Sequence, residues 1–281
     1  MIPYFDPVVV HLGPIPIHLF GVLVATGILF GVRQCVRRGE QLGFAPEVTS
    51  SMTTWGILLG FVVAHLFDVV TYQPGTLLEG SWWQALRHLI NPAEGISSFG
   101  GFLGALVGIV VWTRRRRLPL LPQLDIAMYG LATGWFFGRL GCFSAHDHPG
   151  LPTHFFLGVD YGAHYPGGVR HDLGLYEAIY TFFLVVAFRL LARRPRRAGF
   201  YLVIAALTYA PVRFSLDFLR VADERYFGLT PAQFGSLAMF LAGLVLMWRL
   251  ARTRDDEAAK TPGSLGQPPA PSEPSLPSPI A

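Results

Sequence analysis

Long apolar runs that each end in a cluster of arginines constrain this chain more than any other feature. Arg33, Arg37 and Arg38 close the first such run. Arg114, Arg115, Arg116 and Arg117 close another, and Arg193, Arg194, Arg196 and Arg197 a third. Arg252 and Arg254 follow the last. Elsewhere charge is sparse: 14% of the 281 residues are charged and 52% are hydrophobic, where a soluble domain carries about 25% charged residues. Runs of this length and apolarity can cross a bilayer. The expected fold is an all-α polytopic membrane protein.

Seven transmembrane helices are expected, at about Ile17–Gln34, Met52–Tyr72, Ser98–Thr113, Leu124–Phe143, Leu173–Leu191, Phe200–Leu219 and Pro231–Leu250. The arginine clusters follow spans one, three, five and seven. The alternate loops hold isolated charges of both signs. Positive residues favour the cytoplasmic side, so the N-terminus is expected outside and the C-terminus in the cytoplasm. The polar loop Ser144–Asp172, between spans four and five, then faces outward. Met1–Pro16, with prolines at 3, 7, 14 and 16, reads as an extended interfacial segment. Trp82 and Trp83 suit headgroup depth. Residues 1–252 are expected to form one membrane domain. Residues 253–281, rich in Pro, Ser, Gly and Ala, are expected to be a disordered cytoplasmic tail, since they hold too little apolar surface for a core.

Other classes fit less well. The net charge of +4 sits in short clusters between spans, with no basic face interleaved with aromatics, so no nucleic-acid partner is expected. Two cysteines, Cys35 and Cys142, make no disulfide framework, and Cys35 falls on the cytoplasmic side. Met1–Val32 lacks the basic start of a signal peptide. Transport would place charges at mid-membrane in broken helices, whereas most of the candidate-site charges, Arg139, Glu177, Arg213, Asp217 and Arg220, sit near one face.

The candidate chemistry lies at that outer face. Arg139 ends span four inside Gly138-Arg139-Leu140-Gly141. An arginine costs about 2.5–3.5 kcal/mol at a helix centre and less near the interface. It can snorkel as an anchor, or bind an anionic headgroup between glycines that admit close approach. Arg213, Asp217 and Arg220 follow i, i+4 and i, i+3 spacing at the outer end of span six and share one helix face. They can hold one another, or leave net positive charge for a phosphate. Tyr176-Glu177 lies one turn into span five. Glu177 can orient an arginine or accept a proton. His65 and Asp68, at i, i+3 in span two, can pair with each other. His146 and His148 flank Asp147 and can exchange protons near neutral pH. No His, Cys or Asp spacing matches a known zinc pattern, and no phosphate or dinucleotide loop is present, so no metal or cofactor is expected. In the third span Gly100, Gly104 and Gly108 share a face that permits close helix packing.

Taken in order, these stretches resemble prolipoprotein diacylglyceryl transferases. The blocks are Phe5-Asp6-Pro7 through Gly21, Ser98-Phe99-Gly100-Gly101-Phe102-Leu103-Gly104, Gly138-Arg139-Leu140-Gly141-Cys142-Phe143 closed by Gly150, Leu175-Tyr176-Glu177, and Arg213–Arg220. The resemblance covers about residues 1–250, and the arginine block is its specific part. It implies an enzyme of the bacterial cytoplasmic (inner) membrane with its active face toward the periplasm or outside. Such an enzyme moves the diacylglyceryl group of phosphatidylglycerol to the lipobox cysteine thiol of a preprolipoprotein, forming a thioether and releasing glycerol phosphate. It also implies roles: Arg139 and Arg213 for catalysis and headgroup binding, His146 and Glu177 for proton transfer or orientation, and Gly100, Gly101, Tyr176, Asp217 and Arg220 for substrate binding. The chain departs from the family pattern where Phe99 replaces a histidine, Phe20 a tyrosine, Cys142 and Ala145 asparagines, and His65 an arginine. Asp147 and Asp217 keep acidic character. A non-catalytic phospholipid-binding protein, or a transferase with another acceptor, is the alternative reading.

Overall fold

The computed structural model describes residues 1–72, 75, 81–91, 95, 97–164, 166–221 and 225–260. Eight α-helices carry the chain among these residues: α1 Leu19–Gln41, α2 Pro46–Tyr72, α3 Trp82–Ile90, α4 Ser98–Arg115, α5 Leu120–Ala145, α6 Leu173–Leu191, α7 Phe200–Leu216 and α8 Pro231–Lys260. A 3-10 turn, Asp217–Leu219, extends α7.

The chain is not purely helical. Six short strands occur among the described residues: β1 Ile2–Pro3, β2 Val9–Leu12, β3 Ile15–His18, β4 Pro149–Pro152, β5 Val159–Asp160 and β6 Val169–Asp172. β2 and β3 form an antiparallel hairpin that turns through Gly13 at φ +62. The other four make one small sheet in the order β1-β5-β6-β4. The N-terminal segment is thus more than an extended approach to the membrane. Ile2 and Pro3 pair with Val159 and Asp160, tying the start of the chain to the loop between α5 and α6. The strands are too short for hydrophobic alternation to announce them; their partners lie far away in sequence.

Among the described residues, five helices are long and apolar enough to cross a membrane: α1, α2, α6, α7 with its 3-10 turn, and α8. The surface agrees. Leu29, Val70 and Phe183 are 72%, 58% and 63% exposed, an apolar exterior that lipid can cover. The remaining expected spans, three and four, correspond to α4 and α5. Arg114 and Arg115 end α4, while α5 carries Asp125 and Arg139, which lowers the apolarity of both.

Several helices outrun the sequence expectation. α1 continues through Arg33, Arg37 and Arg38 to Gln41. Arg38 does not mark a headgroup boundary: it is buried, with its guanidinium 5.1 Å from the Tyr201 ring centroid. α8 continues past residue 252 to Lys260. The tail expected at 253–281 therefore begins as helix, and residues 261–281 lie outside the described residues.

Helices pack as pairs: α1 along α5, α2 along α4, α5 against α6, and α7 against α8. The glycine face of α4 is used as its spacing suggests. An added Cβ at Gly100 would lie 2.8 Å from Val63 O, and one at Gly108 would lie 2.9 Å from Trp55 O. One apolar core joins Ala132, Leu184, Phe188, Tyr201 and Ala205 across α5, α6 and α7. A second joins Cys35, Met52, Trp112 and Ile126. Both thiols are free, and Cys35 Sγ lies 3.5 Å from Ile126 O.

Candidate functional site

Glu177 is the meeting point of three elements. Asp172 caps α6 by accepting from the Leu175 N–H at 2.9 Å, a standard way to satisfy the first turn. Gly174 brings that turn onto the end of α5: a Cβ there would lie 2.8 Å from Phe143 N and 3.1 Å from Cys142 C. One turn later Glu177 is fully buried. Its Oε2 is ion-paired with Arg139 Nε at 3.0 Å and accepts from the Tyr209 hydroxyl at 2.8 Å. Its Oε1 accepts from Arg213 Nη1 at 2.7 Å.

The network continues along α7. Arg213 Nη2 donates to Asp217 Oδ1 at 3.0 Å, and Arg220 Nη1 lies 3.9 Å from the same oxygen. Asp217 Oδ2 accepts from the Thr230 hydroxyl at the start of α8. Both carboxylates are buried, and the Arg139 and Arg213 side chains are each 13% exposed. Three guanidinium groups thus face two carboxylates. Buried carboxylates at these distances hold the guanidinium groups in place. The loop between α5 and α6 joins this end of α7 through a bridge between Gly150 and Arg220.

His146 lies apart from the arginines' carboxylates. It ends α5 in the left-handed conformation, φ 51, and its Nδ1 lies 3.0 Å from Asp172 Oδ2. Tyr161 donates to the same oxygen at 3.2 Å. Tyr4, Phe5, Phe143 and Tyr161 surround the imidazole. Its Nε2 is buried and finds no partner among the described residues. Burial pushes the Asp172 carboxyl up despite the bonds it accepts. The Tyr161 phenol is raised by burial first and by the Asp172 charge second.

Tyr176 also belongs to another pair. Its hydroxyl lies 2.8 Å from His171 Nδ1, and burial lowers the His171 pKa. Gly100 and Gly101 meet residues of α2 rather than the arginine network: Gly100 packs toward Val63 and Phe67, and Gly101 toward Ala64. His65 does not depend on Asp68. Its two ring nitrogens lie 3.1 Å from Gly95 O and 3.0 Å from His88 O.

Beside Arg139 lies a second group. Cys142 Sγ is 3.9 Å from Arg139 Nη1, as a cysteine three residues along the helix must be near. One potential ligand atom from each of Cys142, Asp147 and His148 lies within 4.8 Å of the others, and His148 Nδ1 is hydrogen-bonded to Asp147 Oδ1. Asp147 also borders an open, mainly apolar groove of about 700 Å3 between β3, the start of α1 and the end of α5, lined by Ile17, His18, Phe20, Gly21 and Ala145.

Sequence reasoning missed Tyr209, Thr230, the capping and His146-pairing role of Asp172, and the aromatic cover of His146. Tyr209 was within reach, since it stands four residues before Arg213 on the same helix face. Asp172 stands three residues before Leu175, the spacing of a helix cap. Thr230 and Tyr4 come from distant segments and left no local signal.

The chain is similar throughout to one group of enzymes. The family model described as prolipoprotein diacylglyceryl transferase matches residues 7–249. A phosphatidylglycerol–prolipoprotein diacylglyceryl transferase of Nitratidesulfovibrio vulgaris is 30% identical over 270 residues, covering 90% of this chain and 95% of that protein. The proteins of the same name from Chromohalobacter salexigens and Bacillus cytotoxicus are 28% and 25% identical, over 90% and 92% of this chain and 96% of each relative. With its helical membrane architecture and a match over nearly its whole length, the chain belongs to the prolipoprotein diacylglyceryl transferase family.

Proposed function

We propose that this protein transfers the diacylglyceryl group of phosphatidylglycerol to the lipobox cysteine thiol of a preprolipoprotein, forming a thioether and releasing glycerol phosphate. The buried network of Arg139, Arg213 and Arg220 with Glu177 and Asp217 carries the reading. A phosphate leaving group gains charge as its C–O bond breaks. Fixed cations in a water-poor site stabilise that charge without reorganising.

The geometry divides the arginines. Arg213 spends both terminal nitrogens on carboxylates, so it mainly fixes Glu177 and Asp217. Arg139 gives only Nε to Glu177, and its terminal edge turns toward Cys142. Arg139 is therefore the direct clamp for phosphate, and Arg220 the second cation on the rim. Glu177 serves as an orienting counter-charge. His146 is enclosed by aromatic rings, with its side chain 3% exposed, which argues for a structural role over proton exchange with a bound thiol.

The same reading gives seven spans, with α4 and α5 joining the five more apolar helices. Arg114 and Arg115 at the end of α4 fit a cytoplasmic side. The arginine network then lies at the outer face, where phosphatidylglycerol and an exported signal peptide can both reach it. Residues 1–252 form the membrane domain.

The test is transfer of labelled lipid from phosphatidylglycerol to a lipobox peptide by the purified protein. Transfer should require Arg139 and the peptide thiol. Lipid binding with no thioether product would support the non-catalytic alternative.

A further inference from the structure

We propose that Cys142, Asp147 and His148 form a binding site for a zinc-class divalent cation that takes the acceptor thiol as its fourth ligand. This rests on the transferase reading above and supplies a thiol activator for it.

The donor set points to such an ion. One sulfur, one carboxylate oxygen and one imidazole nitrogen lie within 4.8 Å of one another. Zinc binds sulfur at about 2.3 Å and nitrogen or oxygen at about 2.0 Å, which sets tetrahedral ligand atoms about 3.3–3.6 Å apart. Binding therefore requires the three ligand atoms to draw together. Thiolate, carboxylate and imidazole together suit zinc over calcium or magnesium, which prefer all-oxygen shells. The ion would take the place of the hydrogen bond between His148 and Asp147.

Charge also balances. A thiolate and a carboxylate offset the two charges of the ion. The nearby Arg139 already faces the Glu177 carboxylate at 3.0 Å, so the ion meets a largely neutralised neighbour.

Position gives the site its use. Three protein ligands leave a fourth position open, the arrangement of catalytic rather than structural zinc. Asp147 borders the groove beside α1, and Cys142 Sγ is 3.9 Å from Arg139 Nη1. A thiol entering the fourth position would thus sit beside the phosphate clamp. A metal-bound thiol loses its proton outright, and here that proton passes to water. The thiolate sulfur then attacks the glyceryl carbon that carries the phosphate ester. The C–S bond forms as the C–O bond breaks, and its electron pair leaves with glycerol phosphate against Arg139. A separate side-chain base is unnecessary. His146 is enclosed, and Phe99 offers no proton acceptor.

The purified full-length chain, stripped by a chelator and refilled with cobalt, should bind one ion and show a thiolate-to-cobalt charge-transfer band. Cys142→Ser should remove the band, and His148→Ala should weaken cobalt binding at least about tenfold. A lipobox peptide should strengthen the band as a second sulfur joins, and its Cys→Ser form should not. Chelation should abolish transfer and zinc restore it. Full transfer by metal-free protein would overturn the proposal, as would failure to bind cobalt by a chain that still binds phosphatidylglycerol. A peptide-dependent band without transfer, with or without zinc, would keep the metal site and sink the transferase reading instead.

Discussion

Arg139 Nε lies 3.0 Å from the buried Oε2 of Glu177, joining the end of α5 to the start of α6. The same carboxylate holds Arg213 on α7 at 2.7 Å. One side chain therefore positions two cations from two other helices. Its removal should do more harm than loss of either arginine contact alone.

Glu177→Gln tests this directly. The amide keeps the shape and loses the charge, leaving two guanidiniums facing a neutral group. Breaking a buried pair costs about 3–5 kcal/mol. The expected result is a clear loss of thermal stability in detergent, with transfer reduced at least about a hundredfold. Tyr209→Phe removes one neutral hydroxyl from the same oxygen and should cost about 1 kcal/mol. Equal effects from the two variants would show that the charge at Glu177 is not what holds the site.

Arg139→Lys separates charge from geometry. Lysine retains a positive charge but lacks a planar edge that can hold Glu177 through one nitrogen and a phosphate through others. Transfer should fall at least about tenfold, with kcat reduced more than lipid affinity. Arg213→Lys should instead lower stability first, because both of its terminal nitrogens bind carboxylates.

Much of this was legible in the sequence, and the part that was not has a physical cause. Arg139, Glu177, Arg213 and Asp217 stand out because ionisable groups in apolar helices need partners. Their spacing along one helix predicts the Arg213–Asp217 contact, which is local. The spacing leaves open whether Glu177 would be a partner or a base, because its partners come from two other helices. The sheet that joins Ile2–Pro3 to Val159–Asp160 was illegible for a similar reason. Two-residue strands carry no periodicity, and their pairing spans more than half the chain. Gly100 and Gly101 were assigned to substrate by resemblance alone, and their close neighbours are residues of α2.

The pair His171 and Tyr176 predicts a pH dependence of stability. Burial lowers the His171 pKa, so the folded chain resists a proton that the unfolded chain accepts. His171 thus contributes stability that is present above its ordinary value near 6.5 and lost as pH falls through the lowered value. Wild-type melting temperature should drop between pH 7 and pH 5 more steeply than that of His171→Gln. Parallel profiles for the two proteins would assign the acid sensitivity to other groups.

Gly174 and Gly138 make a paired prediction about the joint between α5 and α6. Both are glycines near Arg139, but their surroundings differ. A Cβ at Gly174 would lie 2.8 Å from the backbone nitrogen of Phe143, whereas one at Gly138 would meet nothing within 4 Å. Gly174→Ala must push the first turn of α6 away from α5 and draw Glu177 from Arg139. Stability should fall by about 1–3 kcal/mol, as overpacking does, and transfer should fall with it. Gly138→Ala adds a methyl in open space and a better helix former than glycine, so stability should hold or rise by up to about 1 kcal/mol. If Gly138→Ala abolishes lipid binding while the protein stays folded, the open space beside it is where the lipid headgroup approaches. If Gly174→Ala leaves transfer intact, the close approach of α6 to α5 is not what sets the distance between Glu177 and Arg139.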